Sequence, residues 1–466
     1  MTFTVEEVLR ATGGRLIQGR GEGILFRGIS TDSRTLLEEE LFIALRGSRF
    51  NGHDFALEAL KKRARGVIVE EEKVREIRWN GDPSKVVIAV KDTLQALGDL
   101  AKERRRKYRI PVVGITGSNG KTTTKEMMAA CLETTFPVLK TEGNFNNLIG
   151  LPLTLLKLTE KERVVVLEMG MNVPGEIRRL TEIAEPDVGL ITNIHPVHLE
   201  GMKDIEKIKE EKGELFRRMK QDGSILVNQD DPRVVQLAQT FLGQKITYGI
   251  ENPSDVRAKE IRLKKDGTYF YVTVEGEGIE IHLPLLGRHF VLNALSAIAG
   301  ATLFGIPLEK AKEALEQFPP YPMRMEYREI GGGIHLLNDT YNANPRSMEL
   351  ALETVTEIKG EGRAIAVLGD MLELGAFSEE AHRWIGRRVS ELNIDFLLVV
   401  GEKVKLLIDS AIRHGMELAK TYRAKDHEDA IRWLDQTIRE GDWVLVKGSR
   451  GMTMERIVEG LIQRRR

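Results

Sequence analysis

A single cysteine, Cys131, stands in 466 residues, so no disulfide can form within the chain and a reducing setting is expected. Charge of one sign is missing as well: 69 basic residues nearly cancel 70 acidic ones, which leaves no global field to attract nucleic acid or an acidic membrane surface. Apolar runs such as 164–167 are strand-length, far short of the ~20 residues that cross a bilayer. The first ten residues lack the charged-then-apolar order of a signal peptide. A cytoplasmic protein is expected, with no stable membrane insertion and no nucleic-acid partner. Any anionic ligand must be held by local groups. There is also no repeat of fixed period and no low-complexity tract.

The chain is too long for one core, since cores stop growing near roughly 250 to 300 residues. Residues 1–90 read as a small α/β unit, with apolar strand cores at 41–45 and 66–69. A charged helix follows, ending in Lys102-Glu103-Arg104-Arg105-Arg106-Lys107-Tyr108-Arg109 before Pro111. That run is either a nucleic-acid patch or the solvated face of a linker helix, and its shortness and position favour the linker. Beyond it, apolar strands at 111–116, 163–168, 188–192 and 223–228 alternate with helical stretches, as in a mostly parallel, doubly wound sheet. Residues 256–286 instead alternate apolar and polar around Asp266-Gly267, the pattern of antiparallel hairpins. A helix at 290–304 closes this central domain, 91–318. After the Pro-rich hinge Phe318-Pro319-Pro320-Tyr321-Pro322, strands near 334–338, 364–368, 396–400 and 443–446 imply a second Rossmann-like domain, 319–466. The fold class is α/β with three domains: a small N-terminal one, a central P-loop sheet with an added antiparallel part, and a Rossmann-like C-terminal one.

The segment Gly114-Ile115-Thr116-Gly117-Ser118-Asn119-Gly120-Lys121-Thr122-Thr123 follows an apolar strand and opens a helix over 124–132, the context a phosphate-binding loop requires. Glycines admit backbone N–H groups to the phosphates, and the helix N-terminus adds partial positive charge. Lys121 can reach the β and γ phosphates, and the Thr122 hydroxyl can ligate magnesium. The glycine spacing departs from G-x-x-x-x-G-K-[ST], because Gly114 precedes Gly120 by six positions, so the loop is a subtype.

Thr116-Gly117-Ser118-Asn119-Gly120-Lys121-Thr122-Thr123 resembles the ATP loop of the Mur ligase family, whose relatives include folylpolyglutamate synthases. Thr141-Glu142-Gly143-Asn144-Phe145-Asn146-Asn147, Asp339-Thr340-Tyr341-Asn342-Ala343-Asn344-Pro345 and Leu368-Gly369-Asp370-Met371-Leu372-Glu373-Leu374-Gly375 are similar to the branch that adds D-alanyl-D-alanine to UDP-N-acetylmuramoyl-tripeptide. The resemblance spans all three domains. It implies ATP and two Mg2+ ions, with Gly117, Ser118, Asn119, Gly120, Lys121, Thr122 and Thr123 on the nucleotide.

Other candidate residues follow predicted strands, where ligands of open α/β sheets gather. Glu168 ends an apolar strand. In isolation it reads equally as a capping or solvated carboxylate, but beside a phosphate loop it suits magnesium, which keeps one or two protein oxygens plus substrate phosphates. In Thr192-Asn193-Ile194-His195-Pro196-Val197-His198-Leu199-Glu200 the resemblance assigns a second magnesium to His198 and not to His195. Lys212 lies on the apolar stripe of Ile205, Ile208, Leu215 and Phe216, where a lysine needs a partner or an exit to water. There the resemblance implies a carbamylated lysine, whose added carboxylate faces the second metal.

Asn293, in Gly287-Arg288-His289-Phe290-Val291-Leu292-Asn293-Ala294, matches the family's adenine-contacting asparagine, although Phe290 stands where an asparagine is common. Arg324 matches an arginine that reaches the γ-phosphate, with Met323 in place of the usual glycine. Asp339 and Asn342 would meet ribose and ATP. In the first domain Ser30, Asp32, Arg34 and Arg46 resemble the family's UDP-sugar site, though a polar turn between strands reads the same. Asn146 is expected on substrate. For the incoming dipeptide, Asn344, Asp370, Lys447 and Arg450 follow third-domain strands, with capping and surface roles equally open.

The implied reaction activates the tripeptide carboxylate as an acyl phosphate, which the amine of D-alanyl-D-alanine then attacks. Positioning and charge neutralisation carry such chemistry, and a monomer is expected. The rivals are another amide ligase of the same superfamily, a P-loop ATPase that forms no bond, and a silent nucleotide-binding scaffold.

Overall fold

The computed structural model describes residues 2–47, 49–77, 79, 81–196 and 204–465. Three large sheets organise it, with a small antiparallel pair, Phe3–Thr4 and Leu25–Phe26, in addition. The first has five strands in the order Arg15–Gln18, Val86–Val90, Gly66–Glu70, Glu40–Ile43 and Gly28–Ser30, parallel except for the antiparallel edge made by Arg15–Gln18.

The central sheet has nine strands. Val112–Thr116 lies between Val188–Ile191 and Val164–Glu168, all parallel. The chain therefore leaves this strand at a point where the strand order reverses, the place where open α/β sheets bind ligands. All five residues of Val112–Thr116 and of Val164–Glu168 are buried, as strands covered by helices on both faces must be. The antiparallel part does not form a separate layer. Val256–Lys264 pairs parallel with Gln244–Gly249 and then antiparallel with Gly267–Val274, so the hairpins extend the nucleotide sheet sideways. Gly267 provides the turn at φ +149°.

The helix expected at 290–304 is Arg288–Leu303, and a further helix, Leu308–Glu316, follows it before the hinge. Arg288–Leu303 crosses the loop helix Lys121–Glu133 closely. A Cβ at Gly300 would lie 2.2 Å from the Met128 sulfur, so glycine sets that approach. The third sheet runs Glu326–Ile330, Ile334–Asp339, Trp443–Lys447, Ala364–Gly369, Phe396–Val400 and Thr421–Ala424, with only the Glu326–Ile330 edge antiparallel.

The basic run corrects the expectation of a solvated linker face. The helix Thr93–Lys107 packs on the central helices Gly150–Leu156 and Glu176–Ala184 and on Val5–Thr12 of the first domain, with Arg104 and Arg105 buried. Arg104 donates from Nε to the Leu158 carbonyl at 3.0 Å. Arg105 donates to the Ala184 carbonyl at 3.0 Å, to that of Tyr108 at 3.0 Å and to Asp187 at 2.7 Å. Guanidinium groups here satisfy orphan carbonyls at a helix C-terminus and a loop, where cations are favoured. Arg106, one residue on, faces out and meets Glu185 in an exposed pair.

Arg105→Ala is expected to lower stability by about 2–4 kcal/mol, because it strands buried acceptors and one carboxylate. Arg106→Ala is expected to cost about 1 kcal/mol or less. Urea denaturation of the two variants measures the difference, and equal small losses would contradict the buried-anchor reading.

Candidate active site

The loop after Val112–Thr116 turns on two glycines. Gly117 has φ +146° and a Cβ there would meet the Thr192 hydroxyl at 1.9 Å; Gly120 has φ +81° and a Cβ there would meet Asn293 Oδ1 at 2.6 Å. No other residue type fits this cradle, which brings backbone within reach of a phosphate. The segment after Val188–Ile191 braces it from one side. Thr192 Oγ1 donates to the Asn119 carbonyl at 2.6 Å, Ser118 N to the Asn193 carbonyl at 2.9 Å, and Asn119 N to Asn193 Oδ1 at 2.9 Å. The Ser118 hydroxyl is engaged with the backbone of His195, accepting from its N–H at 2.8 Å and donating to its carbonyl at 2.9 Å.

Two lysines converge on one carbonyl. Lys121 Nζ donates to the Gly117 oxygen at 2.8 Å and Lys212 Nζ to the same oxygen at 3.0 Å. Lys212 is reached as the apolar stripe implied: it lies on Ile205–Arg218, a helix capped by Asp204, and is 2% exposed. Burial pushes the Lys121 ammonium below its ordinary range. Burial, and then the charge of Lys121, push Lys212 well below its own, so Lys212 tends to the neutral amine.

Glu168, at the end of its strand, is buried. Its Oε1 accepts from Asn146 Nδ2 at 2.8 Å, while among the described residues its buried Oε2 has no partner. A buried carboxylate oxygen left without a donor, opening onto a cleft with the Thr122 hydroxyl, suits a hard divalent cation. Asn146 is thus held by Glu168. Lys125, which the sequence reading passed over, fixes the same segment: fully buried, it donates to the Thr141 carbonyl at 2.6 Å, and Thr141 Oγ1 accepts from Glu168 N at 3.0 Å.

The third domain closes on this loop. Arg324 Nη2 donates to Thr122 Oγ1 at 3.3 Å, and the guanidinium stacks 4.2 Å over the Tyr341 ring. Met323 and Met325, on either side of Arg324, sit at φ +60° and +48°. These left-handed residues cost about 1 kcal/mol each, and they explain why a glycine would suit position 323. Asn344 caps the helix Pro345–Ile358 by accepting from Ser347 N at 2.9 Å, and its Nδ2 donates to Asn119 Oδ1 at 2.6 Å. One side chain therefore joins the third domain to the phosphate loop.

Many of these groups line a cleft of about 610 Å³, although Gly117, Lys125 and Lys212 are not on its wall. Ser118, Asn119, Gly120, Lys121, Thr122 and Thr123 are on its wall, with Asn146, Glu168, Asn293 and Arg324. Asp339, Asn342, Asn344 and Lys447 face it from the third domain. Lys447, expected on the dipeptide, is sunk, holding Asp339 at 2.5 Å and the Asn342 carbonyl at 2.9 Å.

The cleft does not include every expected residue. Asp370 is buried elsewhere, accepting from the N–H groups of Glu402 and Val404 at 3.0 and 2.9 Å, and Arg450 pairs with Glu455 at 3.1 Å; both are corrected to structural positions away from the cleft wall. In the first domain Ser30 bonds the backbone of Asp32. Asp32 pairs with Arg34, whose hydrogen bonds hold its carboxyl down to about 2. Arg46 pairs with Glu70 and Glu72. None of these four lines the cleft. His198 falls in 197–203, outside the described residues. Two cleft histidines were missed: burial pushes both His195 and His289 down to about 4, so they are neutral at physiological pH. Their only signal in the sequence is adjacency to the motifs.

Three protein-family profiles match the chain: the Mur ligase middle domain over residues 115–301, the Mur ligase glutamate ligase domain over 323–450, and the Mur ligase family catalytic domain over 25–105. The UDP-N-acetylmuramoyl-tripeptide–D-alanyl-D-alanine ligase of Bacillus subtilis (strain 168) is 37% identical, over 99% of this chain and 98% of that protein. A crystal structure of MurF from Acinetobacter baumannii superposes with a TM-score of 0.90 at 30% identity, covering 99% of each chain. MurF ligase from Thermotoga maritima in complex with ADP gives a TM-score of 0.84 at 29% identity, covering 94% of this chain and 97% of that one.

Asn344→Asp is expected to keep the helix cap, since aspartate caps as well as asparagine, while losing the donor to Asn119. Nucleotide turnover should fall by about tenfold or more, equivalent to roughly 1.4 kcal/mol, with denaturation midpoints unchanged. Wild-type turnover would show that the bridge is not used.

Proposed function

The chain belongs to the Mur ligase family, and from that premise we propose that it is an ATP-dependent ligase joining D-alanyl-D-alanine to UDP-N-acetylmuramoyl-tripeptide. The products are UDP-N-acetylmuramoyl-pentapeptide, ADP and phosphate, a step in peptidoglycan precursor synthesis. The observation that carries this reading is likeness over the full length, 37% identity across all three domains, to a ligase of that activity. The first domain, 1–90, is assigned to the UDP-sugar, with Ser30, Asp32, Arg34 and Arg46 in its site. The central domain, 91–318, is assigned to ATP, and the third, 319–466, to the acceptor and to closure. Among the described residues no helix is long and apolar enough to cross a membrane, and the reading is of a cytoplasmic monomer with no nucleic-acid partner.

An oxygen of the tripeptide's terminal carboxylate attacks the γ-phosphorus, and the bond from γ-phosphorus to the bridging β oxygen breaks with ADP as leaving group. The acceptor amine then attacks the acyl carbon. The carbon–oxygen bond to phosphate breaks, inorganic phosphate departs, and the new amide nitrogen has given up a proton. Lys121 is assigned to the β and γ phosphates and Arg324 to the γ-phosphate, held in plane by Tyr341. Charge neutralisation and alignment supply most of the rate in phosphoryl transfer. Asn293 is assigned to adenine, Asp339 and Asn342 to the ribose side. Closure shields the acyl phosphate from water.

Glu168 and Thr122 would hold one magnesium ion; a second is assigned, from the family resemblance, to His198 and to Lys212 as a carbamate, and magnesium bound there would neutralise phosphate charge. The neutral amine that burial favours at Lys212 is the form that adds carbon dioxide. The carbamate would turn that neutral amine into an anion, whose charge would oppose that of Lys121.

Phosphate release is expected to require both the UDP-muramyl tripeptide and D-alanyl-D-alanine. Release of the same size with neither would identify an ATPase that forms no bond. Protein equilibrated with carbon-13 bicarbonate should show a carbamate carbon signal that Lys212→Ala lacks, and that variant should lose about 100-fold or more in turnover, the scale of removing one electrostatic group from a preorganised site. Full activity without the signal would eliminate the carbamate.

A further inference from the structure

A second cavity of about 650 Å³ lies against the first, and the two share His195, Arg346 and Leu374. Among the described residues its wall comes from 345–414 of the third domain and from His195 and Pro196 of the central one, with none from the first 90. Among the described residues, a molecule lying here therefore touches none of the domain assigned to the UDP-sugar, and it adjoins the reaction cleft through the three shared residues.

The chemistry of the neck is specific. Leu374 offers an apolar surface there, and beyond it Phe377 is 38% exposed and Trp384 42% exposed, large side chains left uncovered beside a cleft. Arg346 stands at the neck, where its charge opposes protonation of both His195 and His289. Of its five N–H donors, only one from Nη1 is bonded, to Glu349 at 2.7 Å, and the other oxygen of Glu349 holds Arg388 at 2.8 Å. The remaining donors of Arg346 bond no described residue. A guanidinium with free donors beside a short apolar wall recognises a small apolar molecule ending in a carboxylate. Arg346 lines both cavities, and two extended residues span at most about 7 Å, so an acceptor whose carboxylate Arg346 holds can point its amine into the reaction cleft.

Resting on the ligase reading, we propose that the second cavity is the port for the acceptor dipeptide. Arg346 takes its carboxylate, and Leu374 and Phe377 take its methyl groups. Trp384 lines the outer approach.

Steady-state kinetics of wild type, Arg346→Ala and Phe377→Ala test this, with D-alanyl-D-alanine and its C-terminal amide as acceptors. Arg346→Ala is expected to raise KM for D-alanyl-D-alanine roughly 10- to 100-fold, the worth of a charge-assisted contact, and to leave KM for ATP and for the tripeptide unchanged. Wild type should discriminate against the amide, and Arg346→Ala should use acid and amide about equally. Phe377→Ala should raise KM for both acceptors. Discrimination retained in Arg346→Ala, or a raised KM for the tripeptide instead, would overturn the proposal while leaving the ligase intact. Failure of the wild type to form any peptide product would overturn the ligase reading itself. ADP affinity of each variant confirms that it is folded.

Discussion

Two lysine side chains reach for one carbonyl oxygen. Gly117 can present that oxygen because it occupies a backbone region closed to other residues, and Lys121 and Lys212 meet it from the loop helix and from the helix Ile205–Arg218. Two cationic groups this close in a dry site repel strongly, and buried carboxylates offset this only in part, Glu168 for Lys121 and Glu211 for Lys212. The arrangement is stable when anions fill it or when one lysine loses its charge. Phosphates would do the first, and burial pushes Lys212 toward the second. A site in this electrostatic condition favours triphosphate binding, and it favours the negative charge that develops on the β-phosphate leaving group during transfer.

Closure follows from the same constraint. The third domain brings a further cation, Arg324, to Thr122, and it fixes that cation between two strained methionines and the face of Tyr341. Strain stored beside a catalytic group is kept only where surrounding contacts determine it; here the Met325 N–H is held by Asp339, and Asp339 is held by Lys447. Asn344 adds the bridge to Asn119. The cleft is thus assembled from two domains, and an acceptor arriving through the third domain meets the donor only when both are in place.

Much of this was legible in the sequence. The strand, glycine loop and helix are local, and their order alone announces a phosphate site. Lys212 was legible because a charged residue on an apolar stripe breaks a 3.6-residue pattern. The central and third sheets followed from alternation of strands and helices. What failed were inferences that depend on which way a side chain points once the chain is folded. Arg105 and Arg106 are neighbours in sequence, yet one anchors a buried helix end and the other faces water. Asp370 follows a strand like any ligand residue, but it turns to the start of another helix. Lys447 is consumed by Asp339. His195 and His289 became visible only when burial gave them a property that composition lacks. The hairpins at 256–286 were read correctly as antiparallel, but their continuity with the parallel sheet rests on two residue pairs, Tyr248 with Val256 and Gly249 with Arg257, which no local pattern encodes.

The central claim is that this cleft spends ATP on activating a carboxylate. UDP-N-acetylmuramoyl-tripeptide labelled with oxygen-18 in its terminal carboxylate, turned over with ATP and D-alanyl-D-alanine, tests it directly by mass analysis of the released phosphate. Transfer through an acyl phosphate predicts one labelled oxygen in each phosphate released with product. Unlabelled phosphate accompanying pentapeptide formation would contradict the account.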